Sequence, residues 1–331
     1  MIARLTVRLP FVIVVPEGAQ YPLRTWVSGE YEITVRPPGR TDLPLLGLVP
    51  EHLQLGGQPA FVADGLVIDF RKGGFDRRKE GGIEEPPASL MEDVVNHFLQ
   101  RLRYVARAAH VHPLDLHKTT WRLRYLNDDE SEVTEEPTLY RGRGGRSWDI
   151  TLINVPPSIW EDIYTIEDGW EQPVWDDILL DGFNALPRVG SALVLGATAV
   201  EVFAGDVLDR LAARGDIPVD IWTWLNDRKN HFKDPSTEEQ LDKFLKHFIG
   251  HSLKEDLVLW QAFQELRRAR NNFVHGGRAH LGGVEVTQQK AQQLLLQAAQ
   301  VISTVRGWLP QDLQWRTFET LTELAFSLPV F

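Results

Sequence analysis

The chain of 331 residues contains no cysteine, which excludes disulfide bonds and metal sites built on thiolate ligands. Its most apolar window, 189–200, falls well short of the roughly 20 residues that cross a bilayer. The amino terminus lacks the charged region, apolar core and small-residue cleavage site of a secretory signal peptide. These absences predict a protein that works in a reducing cytoplasm and has no membrane partner.

Several sequence signatures of catalysis are missing as well. We find no glycine-rich phosphate loop, no nucleophile elbow and no pair of carboxylates suited to acid–base work. Two groups of histidines have spacings that suggest metal ligands, namely His110, His112 and His117, and His247 and His251. The first group has no suitable acid beside it, and Gly250 interrupts the second. We therefore predict no metal site and no cofactor.

Acidic residues outnumber basic ones by 46 to 35, which gives a net charge of −11. This charge opposes indiscriminate binding of nucleic acid, because the protein as a whole repels phosphate. A polyanion must therefore bind at a locally basic stretch. Two such stretches are present, the loop with Arg141, Arg143 and Arg146, and an acid-free window with Arg267, Arg268, Arg270 and Arg278.

The apolar content of 43% is sufficient to fill two cores, and the pattern changes in character near residue 172. We predict an α+β domain of unknown family over 1–171, with a sensor, docking or regulatory role. An all-α helical bundle over 172–331 follows it.

Within the first domain, apolar alternation predicts strands over 3–15, 26–35, 61–70, 121–126 and 148–155. A turn at 63–65 is expected to split the third of these segments into a hairpin. Residues 71–88 predict a linker and residues 127–146 a hairpin arm. Ser89 and Glu92 have capping-box spacing at the start of a helix over 89–109, and a short helix is expected from Ser158.

Every periodic segment after residue 172 predicts a helix. Small residues, Gly190 and Gly196 among them, are expected to let a neighbouring helix approach the second of these closely. Ser252 is expected to cap the helix that ends at Gly276-Gly277, and Thr287 to cap the last long one. The expected helical segments are 174–183, 186–213, 218–225, 236–250, 252–275, 287–310 and 312–327.

The most informative segment is Arg270-Asn271-Asn272-Phe273-Val274-His275, near the end of one of these helices. It combines a permanent cation, two amides and the side chain that titrates near neutrality. Arginine binds a phosphoryl group bidentately, and a neutral imidazole accepts a proton from a nearby hydroxyl. These residue types can therefore bind a phosphodiester and move a proton without a metal ion.

The segment, followed by Gly276-Gly277 and a further amphipathic helix, resembles the R-x(4–6)-H motif of HEPN domains, in particular the Apea-like group. The resemblance covers about the last 150 residues and implies a HEPN-like helical bundle. Many HEPN domains are metal-independent endoribonucleases of toxin or antiviral systems, in which two protomers share the site. It implies that His275 exchanges a proton with RNA, that Arg270 holds the scissile phosphate, and that Asn271 orients His275 or donates a hydrogen bond to a phosphate oxygen. The neighbouring Arg267, Arg268 and Arg278 are expected to bind the RNA backbone.

Two other interpretations stay open. In the first, Arg270 pairs with an acid on a neighbouring helix and His275 caps a helix end, so that the bundle is a scaffold that binds a protein or nucleotide. In the second, the protein is a dimeric toxin that an antitoxin or another defence protein restrains. Five residues place Arg270 and His275 about 140° apart around an ideal helix, so a homodimer is needed to bring them together unless the helix end unwinds.

Overall fold

A computed structural model describes residues 1–39, 53–55, 58–75, 82–133, 137–142, 152–167, 169–226, 235–316 and 318. By their internal contacts, the described residues of Met1–Trp170 form one compact unit and those of Glu171–Leu321 a second one. The first unit contains a sheet and two helices, and the second unit is mainly helical. This arrangement agrees in outline with an α+β region followed by a helical region.

The sheet of the first unit contains eight strands within the described residues, with β1 and β5 at its centre. Neighbouring strands are antiparallel, except that β8 lies parallel to the second half of β1. The order is β2-β3-β5-β1-β6-β7, and β4 adds to β5. The strands are β1 Ile2–Pro16, β2 Arg24–Ser28, β3 Tyr31–Val35, β4 Leu53–Leu55, β5 Gln58–Arg71, β6 Trp121–Leu126, β7 Thr138–Tyr140 and β8 Leu152–Asn154.

The turn expected at 63–65 is wrong, because β5 runs through it without interruption. Arg8 of β1 pairs with Gly65 and Ile13 pairs with Ala63, so four residues of β1 bulge opposite Asp64 alone. Asp64 is buried, and its charge acts on Arg8. The apolar residues on both sides of Asp64 belong to the core, which a hairpin turn at this point would expose.

Two helices, α1 Ala88–Val105 and α2 Pro157–Thr165, complete the first unit. The expected capping box at Ser89 is not formed, since α1 begins one residue earlier, after Pro87. The carboxylate of Glu92 instead accepts a hydrogen bond from the backbone of Leu116. The helix also ends before residue 109, because Arg107 has a φ of 52°.

Parts of three predicted segments lie outside the described residues, namely 76–81 of the linker, 134–136 and 143–146 of the hairpin arm, and 148–151 of the last strand. Arg143 and Arg146 of the first basic stretch are among them. Within the described part of the arm, β7 pairs with β6 in antiparallel register. The predicted arm therefore includes one strand of the sheet.

The second unit is built on α4, which packs against α3, α8 and α9. The expectation that the apolar segment from residue 189 is too short to cross a membrane is wrong, because within the described residues α4 alone is long and apolar enough to do so. Of its apolar window, 56% is buried inside the protein. A core helix has the same properties. The helices are α3 Val174–Asn184, α4 Val189–Arg214, α5 Val219–Asn226, α6 Thr237–Glu239, α7 Leu245–Ile249, α8 Leu257–Gly276 and α9 Gln288–Trp308, and a π-helical segment, Gln240–Phe244, joins α6 to α7.

The small residues of α4 are positions of close helix contact, as predicted. A Cβ atom added to Gly190 would lie 2.1 Å from the ring of Phe273 on α8. One added to Gly196 would lie 2.4 Å from Leu295 on α9. Both distances are far below van der Waals contact, so glycine is what permits these two helices to pack at their observed distance from α4.

The second unit departs from prediction at the start of α8, between α8 and α9, and after α9. Ser252 caps a separate short 3₁₀ turn, and the side chain of Asp256 caps α8 by accepting from the backbone of Val258 and Leu259. Thr287 does cap α9, as predicted. Between α8 and α9 lies an unpredicted hairpin of β9 His280–Leu281 and β10 Val284–Glu285. Of the expected last helix, a 3₁₀ turn at Gln311–Leu313 is described, and 319–327 lie outside the described residues.

Candidate functional site

The predicted motif lies in the last two turns of α8, which stays helical through Gly276. Gly277 ends the helix in the left-handed region, with a φ of 72°, and its N–H donates to the carbonyl of Phe273 at 2.8 Å. The helix therefore does not unwind before His275. By helix geometry, Arg270 and His275 point in directions about 140° apart within one chain.

Phe273 fixes the rotation of this helix end, because its ring lies directly over Gly190 of α4. Arg270 is three residues before Phe273 and therefore lies on the adjacent part of the same face. As a result, the arginine of the motif is directed towards α4, and the histidine is not.

Arg270 is half-buried and only partly satisfied. One terminal nitrogen donates to Oδ1 of Asn271 at 2.9 Å, and the other lies 3.9 Å from the carboxylate of Glu201 on α4. Its Nε atom is buried without a hydrogen-bond partner among the described residues. A guanidinium has five N–H donors, so this group retains donor capacity for an anion. Within the described residues, the side-chain oxygen of Asn271 accepts from Arg270, and no contact between Asn271 and His275 is present.

His275 is exposed and, among the described residues, its ring has no hydrogen-bond, ionic or stacking partner. Arg268 and Asn272 precede it by seven and three residues, which places all three along one face of α8, with Arg268 and His275 only about 20° apart. Arg268 is exposed, and its Nε donates to the carbonyl of Gln264 at 3.2 Å. Among the arginines of α8, Arg268 is therefore the one closest in direction to His275.

The other two predicted phosphate-binding arginines differ from each other. Arg267 forms an ion pair with Glu238 of α6, and its guanidinium lies 5.6 Å from the centre of the Phe263 ring. It is thus engaged in packing α6 against α8. Arg278 is exposed just beyond the end of α8.

Sequence reasoning missed the contribution of the short hairpin after α8. The side-chain amide of Asn272 donates to the carbonyl of His280 at 2.7 Å, which fastens β9 to the helix end. Gly282 and Gly283, both with positive φ, form the two-residue turn of this hairpin. A Gly-Gly pair between apolar residues is a hairpin signal that was available in the sequence. Glu201 and Glu238, by contrast, lie too far along the chain for any local pattern to find them.

Most of the histidines with metal-ligand spacing have aromatic neighbours in the structure. Among the described residues, no cluster of three or more potential metal ligands is present. His251 stacks on Trp308, with ring centres 5.3 Å apart. Burial lowers the pKa of His110 to about 4. The imidazole of His110 packs against the ring of Phe11 in an edge-to-face arrangement. These side chains have packing environments that account for them.

Comparison with known proteins identifies no relative of this chain. No protein-family model, no curated protein and no solved structure matches the chain.

Proposed function

We propose that this protein is a metal-independent endoribonuclease of HEPN type. The observation that carries the proposal is the exposed imidazole of His275, which has no partner among the described residues and shares one face of α8 with Arg268 and Asn272. An exposed imidazole is accessible to the oxygens of a bound substrate, and the adjacent cation attracts a phosphodiester. RNA is the substrate that supplies both a phosphodiester and its own nucleophile.

The reaction follows from these groups. The 2′-oxygen of the ribose attacks the adjacent phosphorus while His275 exchanges a proton with the reacting oxygens. The bond between phosphorus and the 5′-oxygen breaks, which gives a 2′,3′-cyclic phosphate and a 5′-hydroxyl. Guanidinium groups offset the additional negative charge on the phosphoryl oxygens in the transition state.

Arg270 takes part, in this proposal, through a second copy of the chain. Its direction differs by about 140° from that of His275, so a two-fold related protomer is what brings the arginine of one chain to the histidine of the other. Val274 and Val284, which are 51% and 71% exposed near His275, give this region apolar surface for such a contact. The proposed cellular setting is a cytoplasmic toxin or antiviral defence system, in which an antitoxin or another defence protein is the further partner.

A non-catalytic HEPN scaffold is the second candidate. It is favoured by the contact of Arg270 with Glu201 and by the position of His275 in the last turn of α8, where a cation is stabilised by the helix dipole. In that case the end of α8 is a structural surface that binds a partner protein or a nucleotide.

RNA digestion in EDTA distinguishes the two candidates. We expect the wild type to cleave RNA to cyclic phosphate ends, and His275→Ala and Arg270→Ala to lose at least about 100-fold in rate. Glu201→Gln and His247→Ala, which alter the partner of Arg270 and an exposed histidine elsewhere, are expected to stay active. Arg270→Ala should change the unfolding free energy by no more than about 1 kcal/mol, because the ion pair is long and partly exposed.

Absence of cleavage by the wild type would favour the scaffold. A loss of cleavage in Glu201→Gln as large as that in Arg270→Ala would instead show that Arg270 acts through its ion pair with Glu201 and not at the phosphate.

A further inference from the structure

The hairpin after α8 brings the backbone of a second histidine, His280, to the helix end that carries His275. The amide of Asn272 donates to the backbone carbonyl of His280 at 2.7 Å. Asn272 and His275 are three residues apart on one helix face, where Cβ atoms lie about 5–6 Å from each other. Asn272 therefore connects the backbone of His280 to the turn of α8 that carries His275.

The ring of His280 is oriented by the backbone two residues before it. Its Nδ1 lies 3.1 Å from the carbonyl oxygen of Arg278. A carbonyl oxygen can only accept, so Nδ1 carries a proton in this contact. Nε2 is then the ring nitrogen left to accept or donate a further proton, and among the described residues it has no hydrogen-bond partner. An Nδ1–H bonded to a backbone carbonyl is a common way to orient a histidine for such a task.

We propose that His280 is a second catalytic acid–base residue of this site and acts on the same phosphodiester as His275. The proposal rests on the ribonuclease function proposed above. Cleavage by the 2′-oxygen needs one group that takes the proton of the 2′-hydroxyl and another that gives a proton to the departing 5′-oxygen. One histidine cannot be in both protonation states at once, whereas two histidines on one surface can.

The step balances in protons and bonds. A neutral imidazole accepts the 2′-hydroxyl proton as the bond between the 2′-oxygen and phosphorus forms. The other, doubly protonated imidazole donates its Nε2 proton to the 5′-oxygen as the bond between phosphorus and the 5′-oxygen breaks. The cycle ends with the two protonation states exchanged, and proton transfer with solvent restores them.

The alternative is that His280 merely closes the hairpin through its contact with Arg278. Asparagine at this position separates the two roles, because its side-chain amide retains a donor near the position of Nδ1 and has no counterpart of Nε2. His280→Asn therefore keeps the structural contact and removes the proton transfer. His247→Asn, on an exposed histidine of α7, is the matched control.

The test measures single-turnover cleavage in EDTA as a function of pH. We expect a bell-shaped profile for the wild type, and for His280→Asn a rate at least about 100-fold lower with one limb of the bell lost. A substrate with a bridging 5′-sulfur needs no acid for its leaving group. It should restore the rate of one variant, either His280→Asn or His275→Ala, and leave the other slow.

Four results would overturn the role of His280. Wild-type rate and profile in His280→Asn would leave the ribonuclease function standing and remove His280 from it. Rescue of both variants by the sulfur substrate, or of neither, would show that the two histidines do not divide acid and base work. No cleavage by the wild type would remove the proposed function and this role with it.

Discussion

At the scale of single residues, burial decides which histidines of this chain are available for chemistry. His275 is exposed, and among the described residues nothing contacts its ring. His110 is largely buried, and its Nε2 has no hydrogen-bond partner among the described residues. Charging His110 would place a cation in an apolar environment, close to Arg103 and His112, which is why its pKa is lowered from 6.5 to about 4. Both side chains are imidazoles, but His275 is accessible to a substrate and His110 is not.

This difference predicts how stability depends on pH. The folded state holds His110 neutral, while the unfolded state protonates it below about pH 6.5, so its contribution is complete above that pH and declines as pH falls towards 4. The loss amounts to at most about 3 kcal/mol. Urea unfolding between pH 7 and 4 is expected to show a smaller decline for His110→Phe than for the wild type.

His117→Gln, at an exposed position, is the control for the His110 measurement and should follow the wild type. Parallel curves for His110→Phe and the wild type would contradict the assignment, because they would mean that His110 binds protons equally in the folded and unfolded states.

At the scale of elements, glycines in α4 set the position of the helix that carries the candidate site. Gly190 lies under the Phe273 ring, and any Cβ there would overlap it, whereas Gly205 on the same helix has open space around it. Gly190→Ala is therefore expected to destabilise the protein by about 1–3 kcal/mol, because α8 must move. Gly205→Ala should be neutral or stabilising by up to about 1 kcal/mol, since alanine has the higher helix propensity.

Urea or thermal unfolding of the two alanine variants checks this prediction. Cleavage activity should fall in Gly190→Ala alone, because Phe273 lies two residues before His275. Equal unfolding midpoints for the two variants would contradict the close packing of α8 on α4.

The sequence predicts these elements well where the signal is local. Thr287 caps α9 and Gly276-Gly277 ends α8 as expected, since caps and stops depend on a few adjacent residues. The signal fails where two local patterns compete or where partners are distant in sequence. Ser252 and Asp256 are both residue types that cap helices. In the folded chain Ser252 caps the short 3₁₀ turn, and Asp256 caps α8. The bulge opposite Asp64 depends on β1, more than fifty residues away, and no local pattern reveals it.

The same division applies to the candidate site. The positions of Arg270 and His275 in the last turns of a helix follow from the sequence pattern. Their directions depend on which face of α8 packs on α4, and Phe273 with Gly190 decides that. The pairing of Arg267 with Glu238 and the placement of His280 by Asn272 are tertiary contacts, and therefore they emerge only from the fold.

At the scale of the whole molecule, the question is whether one chain or two complete the site. The net charge of −11 keeps copies of the chain apart in general, so a stable contact needs a surface where like charges do not meet. At the end of α8, exposed valines supply uncharged contact surface, and the phosphates of a bound RNA would separate the arginines of the two chains. Because Arg270 and His275 point apart within one chain, a two-fold contact here makes each site from two chains.

Heterodimers with defined substitutions test this arrangement directly. Two differently tagged chains, one Arg270→Ala and the other His275→Ala, are co-expressed and purified through both tags. If Arg270 of one chain serves His275 of the other, this heterodimer has one intact site of two and about half of the wild-type activity. A chain with both substitutions, paired with the wild type, then has no intact site and should be inactive. Sites contained within single chains predict the reverse result for both heterodimers, so the pair of measurements decides between them whatever the absolute rate.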